Sequence, residues 1–207
     1  MFAPNFKVLT DLDDGLFITY YKQFIPKMKA NYYLDLFEKD LKYNSDEESQ
    51  IMMYGKKINV PRKQVAYGDA GINYSFSGIT VKANDWNADT EICKVIREIK
   101  KMVEKRMGST FNYVLFNRYE DGDQYLGFHK DDEKDLGPDP NIVGISFGAE
   151  RDIIFKSEKT GKTKTVFLHH GSMVIMHHPT NKYWKHSIPK QAGIYFPRIS
   201  MTFRKMI

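Results

Sequence analysis

The chain is short of cysteine, of long apolar runs and of repeats, and each shortage narrows what it can be. Cys93 is its only cysteine, so no disulfide forms within the chain and a reducing compartment is expected. No window approaches the ~18 consecutive apolar residues of a membrane helix. The opening stretch, MFAPNFKVLTDLDDG, lacks the basic-then-apolar order of a secretory signal. No repeat and no long linker breaks the 207 residues, a length that suits one domain able to bury its own core. A non-secreted, single-domain protein without a membrane span is expected.

What is present leans basic and aromatic. A formal charge of +5 and a pI near 9.0 point towards an anionic partner, nucleic acid being the commonest. Phe, Trp and Tyr make up 14% of the residues, which favours β structure and stacking surfaces. Residues 11–43 mix short strand-like runs with a helix ending near Tyr43. The spacing of Ile92, Val95, Ile96, Ile99 and Val103 predicts a second helix from about Asp89 to Met107, capped by Asp89 or Thr90 and stopped by Gly108. From Phe111 onward the runs FNYVLFNRY, NIVGISFG, RDIIFKS, KTVFLHH, SMVIMHH and RISMTFRKM read as short strands, with a hairpin turn around Gly161. The expected class is α+β, mainly β: a sandwich or jelly roll with helices packed outside.

Three groupings carry chemistry. In YLGFHKDDEKDLG, His129 and Asp131 are two residues apart, so on a strand they face one side and could share a metal ion. A second imidazole would complete a two-histidine, one-carboxylate face; read alone, the stretch is more readily a solvated acidic turn. His169, His170, His177, His178 and His186 are all candidates for that imidazole, and spacing does not choose among them. In PRISMTFRK, Arg198, Ser200, Thr202 and Arg204 alternate with Ile199, Met201 and Phe203. That puts two guanidinium groups, the preferred partners of carboxylates, on one face. Asn117 and Tyr119 form a similar polar pair in FNRYEDG. Finally, residues 52–78 combine Lys56, Lys57, Arg62 and Lys63 with Tyr74 and Phe76, a mixture suited to phosphates and bases.

Taken together, VPRKQVAYGDAGINYSFSGI, FNYVLFNRYEDG, HKDDE, SFGAERDIIF, HGSMVIMHHPTNKYWKHSIP and PRISMTFRK resemble the AlkB family of Fe(II)- and 2-oxoglutarate-dependent dioxygenases, and within it the DNA-repair type. The resemblance runs from about residue 50 to the last residue. It implies a double-stranded β-helix, with residues 1–110 an N-terminal extension bearing a nucleotide-recognition lid and 111–207 the dioxygenase core. The implied iron ligands are His129, Asp131 and His186, which selects His186 among the five candidates. Arg198 and Arg204 are implied to hold 2-oxoglutarate with help from Asn117 and Tyr119. Tyr74 and Phe76 are implied to line a damaged-base pocket, Glu133 to read the base, Tyr54 to fill the gap of a flipped base, and Arg62 to lie near the opposite strand.

The implied activity is oxidative demethylation of 1-methyladenine and 3-methylcytosine in DNA, with O2 as co-substrate and formaldehyde as product. RNA demethylation and peptide or small-molecule hydroxylation are the alternatives. A monomer is expected, nuclear in a eukaryote and cytoplasmic otherwise, and no sliding-clamp motif is found. Two departures weaken duplex preference in favour of single strands. The turn KSEKTGKTKT is short, and SIPKQAGIYFPR keeps only Lys190 where the DNA-repair type carries a basic cluster.

Overall fold

The alternation of Ile199, Met201 and Phe203 with Arg198, Ser200, Thr202 and Arg204 decides how the layers form. A computed structural model of the chain describes residues 6–45, 47, 49–53, 56–76, 79–131, 136–137 and 140–207, and side chains among these except at 51–57 and 73–81. The chain begins with strands β1 (Lys7–Asp11) and β2 (Leu16–Tyr21), helix α1 (Lys27–Asp40), and strands β3 (Gln50–Met53) and β4 (Lys56–Asn59). Strands β5 (Lys63–Gly68), β6 (Asn73–Phe76), β7 (Ile79–Lys82) and β8 (Asn84–Asp85) precede helix α2 (Glu91–Met107). Then come β9 (Tyr113–Tyr119), β10 (Leu126–His129), β11 (Ile142–Gly148), β12 (Arg151–Ser157), β13 (Thr163–Leu168) and β14 (Met173–Met176). The four-residue helix α3 (Thr180–Tyr183), β15 (Trp184–Ile188) and β16 (Arg198–Arg204) follow.

Eight strands form the main sheet in the order β1-β2-β14-β11-β16-β9-β5-β8, and four form a smaller one, β10-β15-β12-β13. The hairpins β3-β4 and β6-β7 are separate two-stranded sheets. On one face of the main sheet, Ile199, Met201 and Phe203 join Val143, Ile145, Phe147, Val114 and Phe116 against α1 and α2. Each such fully buried side chain stabilises the fold by roughly 1.5–3 kcal/mol. On the other face, Ile142, Val174, Met176 and Tyr119 meet Ile153, Phe155, Val166 and Leu168 of the smaller sheet. The polar half of β16 faces that inter-sheet space, because the apolar half has already turned to the helices.

Both helices follow their sequence. Ala30, Tyr33 and Phe37 recur on the buried side of α1, and Tyr33 and Phe37 meet the Phe147 ring edge-on at 6.2 and 5.5 Å. In α2 the Thr90 Oγ1 accepts from Cys93 N at 3.2 Å, and Gly108 closes the helix at φ 66°. The predicted strands from 111 onward all form, including the hairpin around Gly161 at φ 71°. Residues before 111 also contribute β1, β2, β5 and β8 to the main sheet. Among the described residues no helix is long and apolar enough to cross a membrane.

Candidate metal centre and its cavity

Strands β10 and β15 pair antiparallel with His129 opposite His186, which sets their ring centroids 4.2 Å apart. Asp131 lies just past the end of β10, so simple strand alternation does not aim it. Two other contacts do. Asn181 clamps its backbone from both sides, accepting from Asp131 N at 3.1 Å and donating to its carbonyl at 2.5 Å. Arg204 Nη2 donates to Asp131 Oδ1 at 2.9 Å. His129 Nε2 then sits 3.7 Å from the same Oδ1, and one ligand atom from each of His129, Asp131 and His186 lies within 4.8 Å of the others.

The charges suit a cation. Burial opposes ionisation of Asp131, but Arg204, His186 and His129 outweigh it and hold the carboxyl at about 2. Burial, with His129 beside it, depresses His186 to about 3, and burial also lowers His129. At neutral pH the cluster is therefore one carboxylate and two neutral imidazoles with lone pairs to donate. Asp131 Oδ2 is buried without a partner among the described residues. A buried oxygen in that state calls for a ligand, and this donor set fits a divalent metal of the oxygenase type.

A cavity of about 720 Å³ opens from the cluster into the inter-sheet space, lined by Arg62, Asn117, Tyr119, Ser146, Arg198 and Arg204 among others. Arg198 is buried, donates from Nη2 to Ser146 Oγ at 3.0 Å and lies 5.3 Å from the Tyr119 ring centroid. Its Nε and Nη1 meet no acceptor among the described residues. Burial lowers this guanidinium to about 10, still charged at neutral pH. Two buried N–H groups aimed into a cavity fit a carboxylate ligand. The two arginines expected to share one dicarboxylate thus differ in placement: Arg198 faces the cavity, while Arg204 also braces Asp131.

Asn117 Oδ1 accepts from Arg62 Nε and Gln64 Nε2, both at 2.8 Å. Both partners are donors, so the oxygen must face them and the amide N–H groups remain for a ligand. Arg62, expected near an opposite nucleic-acid strand, is drawn inward onto Asn117. Tyr54 and Glu133 lie outside the described residues. Tyr74 and Phe76 fall two positions apart on β6, where the description stops at the backbone.

The paired histidines have other tasks. His169 Nδ1 lies 2.7 Å from Tyr20 Oη, and His177 Nε2 lies 2.8 Å from Thr19 Oγ1 while its ring stacks on Phe17 at 4.2 Å. His170 Nδ1 accepts from Gly148 N at 2.9 Å, and His178 N donates to Asn141 Oδ1 at 3.3 Å. Sequence reasoning missed four residues of the site's frame: Asn181, Ser146, Gln64 and Arg151. Arg151 is wholly buried and donates to the carbonyls of Asp121, Gln124 and Pro189 at 2.9, 2.9 and 2.6 Å. A signal for it existed, since Arg151 shares its strand face with Ile153 and Phe155. Asn181 left none, being one polar residue in a turn.

Residues 17–204 match the 2OG-Fe(II) oxygenase superfamily. The chain is 39% identical over 189 residues to DNA oxidative demethylase ALKBH2 of Homo sapiens, covering 87% of this chain and 70% of that protein. To the alpha-ketoglutarate-dependent dioxygenase alkB homolog 3 of Homo sapiens it is 33% identical over 154 residues, or 70% of this chain and 51% of that one. The solved structure of OsALKBH1 shares the fold at a TM-score of 0.60 and 14% identity, covering 91% of this chain and 97% of that one. The chain belongs to the 2OG-Fe(II) oxygenase superfamily and, within it, to the AlkB family, on its ALKBH2-like side. It is accordingly a dioxygenase that uses Fe(II), 2-oxoglutarate and O2.

Proposed function

We propose that this chain is an oxidative demethylase that repairs N-alkylated DNA bases such as 1-methyladenine and 3-methylcytosine. The carrying observation is the convergence of His129, Asp131 and His186 within 4.8 Å in one cavity with the half-satisfied Arg198, in a chain 39% identical to a DNA oxidative demethylase. In this reading His129, Asp131 and His186 hold the iron, and Arg198 grips the distal carboxylate of 2-oxoglutarate with Tyr119 beside it. Asn117 offers its amide N–H groups to the same co-substrate, and Arg204 fixes the Asp131 carboxylate while flanking the co-substrate from the far end of β16. With O2, iron and 2-oxoglutarate held by these residues would supply the oxidant that hydroxylates the N-methyl group, 2-oxoglutarate being converted to succinate and CO2, and the hydroxymethyl group would then leave as formaldehyde.

The apolar lining, including Leu115, Ile142, Ile153, Leu168, Val174 and Ile188, excludes water around the reacting groups. A methyl on a pairing nitrogen is out of reach inside a stacked duplex, so the target base must be extruded, and its lost pairing lowers that cost. Tyr74, Phe76 and Glu133 are proposed to receive the base, and Tyr54 the gap it leaves. The two facing sheets are read as a double-stranded β-helix in a single domain. The separate hairpins β3-β4 and β6-β7 are proposed as the recognition lid of a core made of both larger sheets, to which β1, β2, β5 and β8 also belong. The protein is proposed to act as a monomer, in the nucleus of a eukaryotic host.

The test is formaldehyde release from a 1-methyladenine oligonucleotide with and without Fe(II) and 2-oxoglutarate, run on matched DNA and RNA. Release is expected only with both additions and is abolished by His129→Ala with Asp131→Ala. An RNA rate tenfold above that on DNA would overturn the DNA assignment.

A further inference from the structure

Strand β10 is the edge of the smaller sheet, and it and the residue just before it present two exposed aromatic side chains, Phe128 and Tyr125, near His129. Phe128 is 46% exposed and Tyr125 40% exposed, and both adjoin the cavity mouth. Each has an ammonium group set against its ring: Lys156 Nζ lies 5.8 Å from the Phe128 centroid and Lys190 Nζ 5.6 Å from that of Tyr125. The nearby Lys130 and Lys185 are instead both paired with Glu158, at 2.7 and 3.0 Å.

The loop after β15 extends this strip. It is tied at four points: Pro189 O to Arg151 Nη2 at 2.6 Å, Gln191 N to Gly122 O at 2.9 Å, Ile194 O to Gly122 N at 2.9 Å, and Pro197 O to Ala149 N at 2.9 Å. On this fixed backbone Tyr195 and Phe196 are 81% and 74% exposed. Adjacent aromatic rings held in water on a tethered loop mark a binding surface rather than a folding need.

We propose that Tyr125, Phe128, Tyr195 and Phe196, with Lys156 and Lys190, form a stacking rail for the unpaired nucleotides that flank the target base, making single-stranded nucleic acid the preferred substrate form. This rests on the demethylase reading and narrows it. A duplex shows the protein phosphates and groove edges, leaving exposed rings nothing to stack on. A single strand offers open base faces to the rings and phosphates to the lysines. The rail starts at the cavity mouth, so a strand lying on it delivers its next base to the cluster. From Tyr125 to His129 is about 13 Å of extended strand.

Fluorescence anisotropy with labelled, unmethylated single-stranded DNA and its matching duplex tests the rail. Tyr125→Ala with Phe128→Ala, and separately Tyr195→Ala with Phe196→Ala, are expected to weaken single-strand binding roughly tenfold or more. Duplex binding moves less than twofold, and the salt slope is unchanged. Lys156→Gln with Lys190→Gln makes that slope shallower by one to two. Phe128→Trp retains single-strand affinity, which ties the effect to the ring rather than to folding. Single-strand affinity within twofold of the unaltered chain in both aromatic pairs, or parallel loss on the duplex, overturns the proposal. Formaldehyde release from a methylated oligonucleotide by the unaltered chain is followed alongside. Its absence would sink the demethylase reading, whereas normal release with unmoved single-strand binding would sink the rail alone.

Discussion

Arg204 and Asp131 are locked together inside the cavity, Nη2 donating to Oδ1 at 2.9 Å with both side chains buried. The pair joins the last strand of the main sheet to the residue just beyond β10. Removing the guanidinium strands a buried carboxylate. Arg204→Met is expected to lower the stability of the metal-free chain by about 3–5 kcal/mol in urea titrations. Mn(II) should restore part of that loss, because the ion takes over as the carboxylate's counter-charge. Equal stability of the two metal-free proteins would show that the pair is not what holds the carboxylate.

Arg198 holds its Nε and Nη1 buried without an acceptor among the described residues. Charge-assisted hydrogen bonds contribute about 1.5–3 kcal/mol each. Arg198→Met should therefore weaken 2-oxoglutarate binding at least a hundredfold, read by calorimetric titration of the Mn(II)-loaded chain without oxygen. Ser146→Ala removes one bond that orients this guanidinium but leaves Nε and Nη1 in place, and should cost about tenfold or less. A Ser146 effect larger than the Arg198 effect would move the co-substrate elsewhere in the cavity.

Asn181 is not part of the cavity lining, yet it fixes the backbone of Asp131 in both directions. Asn181→Ala is expected to weaken Mn(II) binding about ten- to a hundredfold, while 2-oxoglutarate binding at saturating Mn(II) changes little. Asn181→Asp should be no better, because its second oxygen would face the Asp131 carbonyl. Metal titration followed by electron paramagnetic resonance checks both variants.

His170 gives the fold a pH dependence remote from the cluster. Its Nδ1 accepts from Gly148 N, so the ring proton sits on Nε2, 2.9 Å from Asn31 Oδ1. Burial lowers its pKa, against Glu150 and with Lys27. A folded pKa below the unfolded value of about 6.5 means that the unfolded chain binds more protons in acid. Stability is therefore complete above about pH 6.5 and declines as pH falls towards the folded value. This one group contributes at most about 1.4 kcal/mol per pH unit. Melting of the unaltered chain should fall more steeply between pH 6.5 and 5.5 than that of His170→Gln, and identical slopes would remove His170 as the cause.

Much of this architecture is legible in the order of the residues. The period-two alternation of β16 predicted its polar face, and the three-and-four spacing from Ile92 to Val103 predicted the helix that covers the other face. Both patterns are local, and local periodicity reads directly from residue order. The metal cluster was half legible. His129 and Asp131 sit together in the chain, but pairing with His186 is a strand register across 57 residues, which spacing alone does not encode and family resemblance supplied. Least legible were the contacts that aim these groups. Asn181 acts through the backbone of a residue 50 positions away, and Arg62 turned out to serve Asn117 because the β5-β9 register brings Gln64 opposite Asn117. The part played by β1, β2 and β5 in the main sheet was missed because LFITYY and KQVAYG are short and their partners lie far along the chain.

The position of β16 has a consequence for how the site breathes. It lies between β11 and β9 in the middle of the eight-stranded sheet, whereas β10 has a neighbour on one side only. Arg198 is therefore carried on a central strand, where amide exchange is expected to be slow, and His129 on an edge strand expected to open more readily. An ion bridging His129 to Asp131 and His186 would rivet that free edge to the interior. Deuterium uptake at the β10 amides should then slow sharply when Mn(II) is added, while uptake along β16 stays as slow as before.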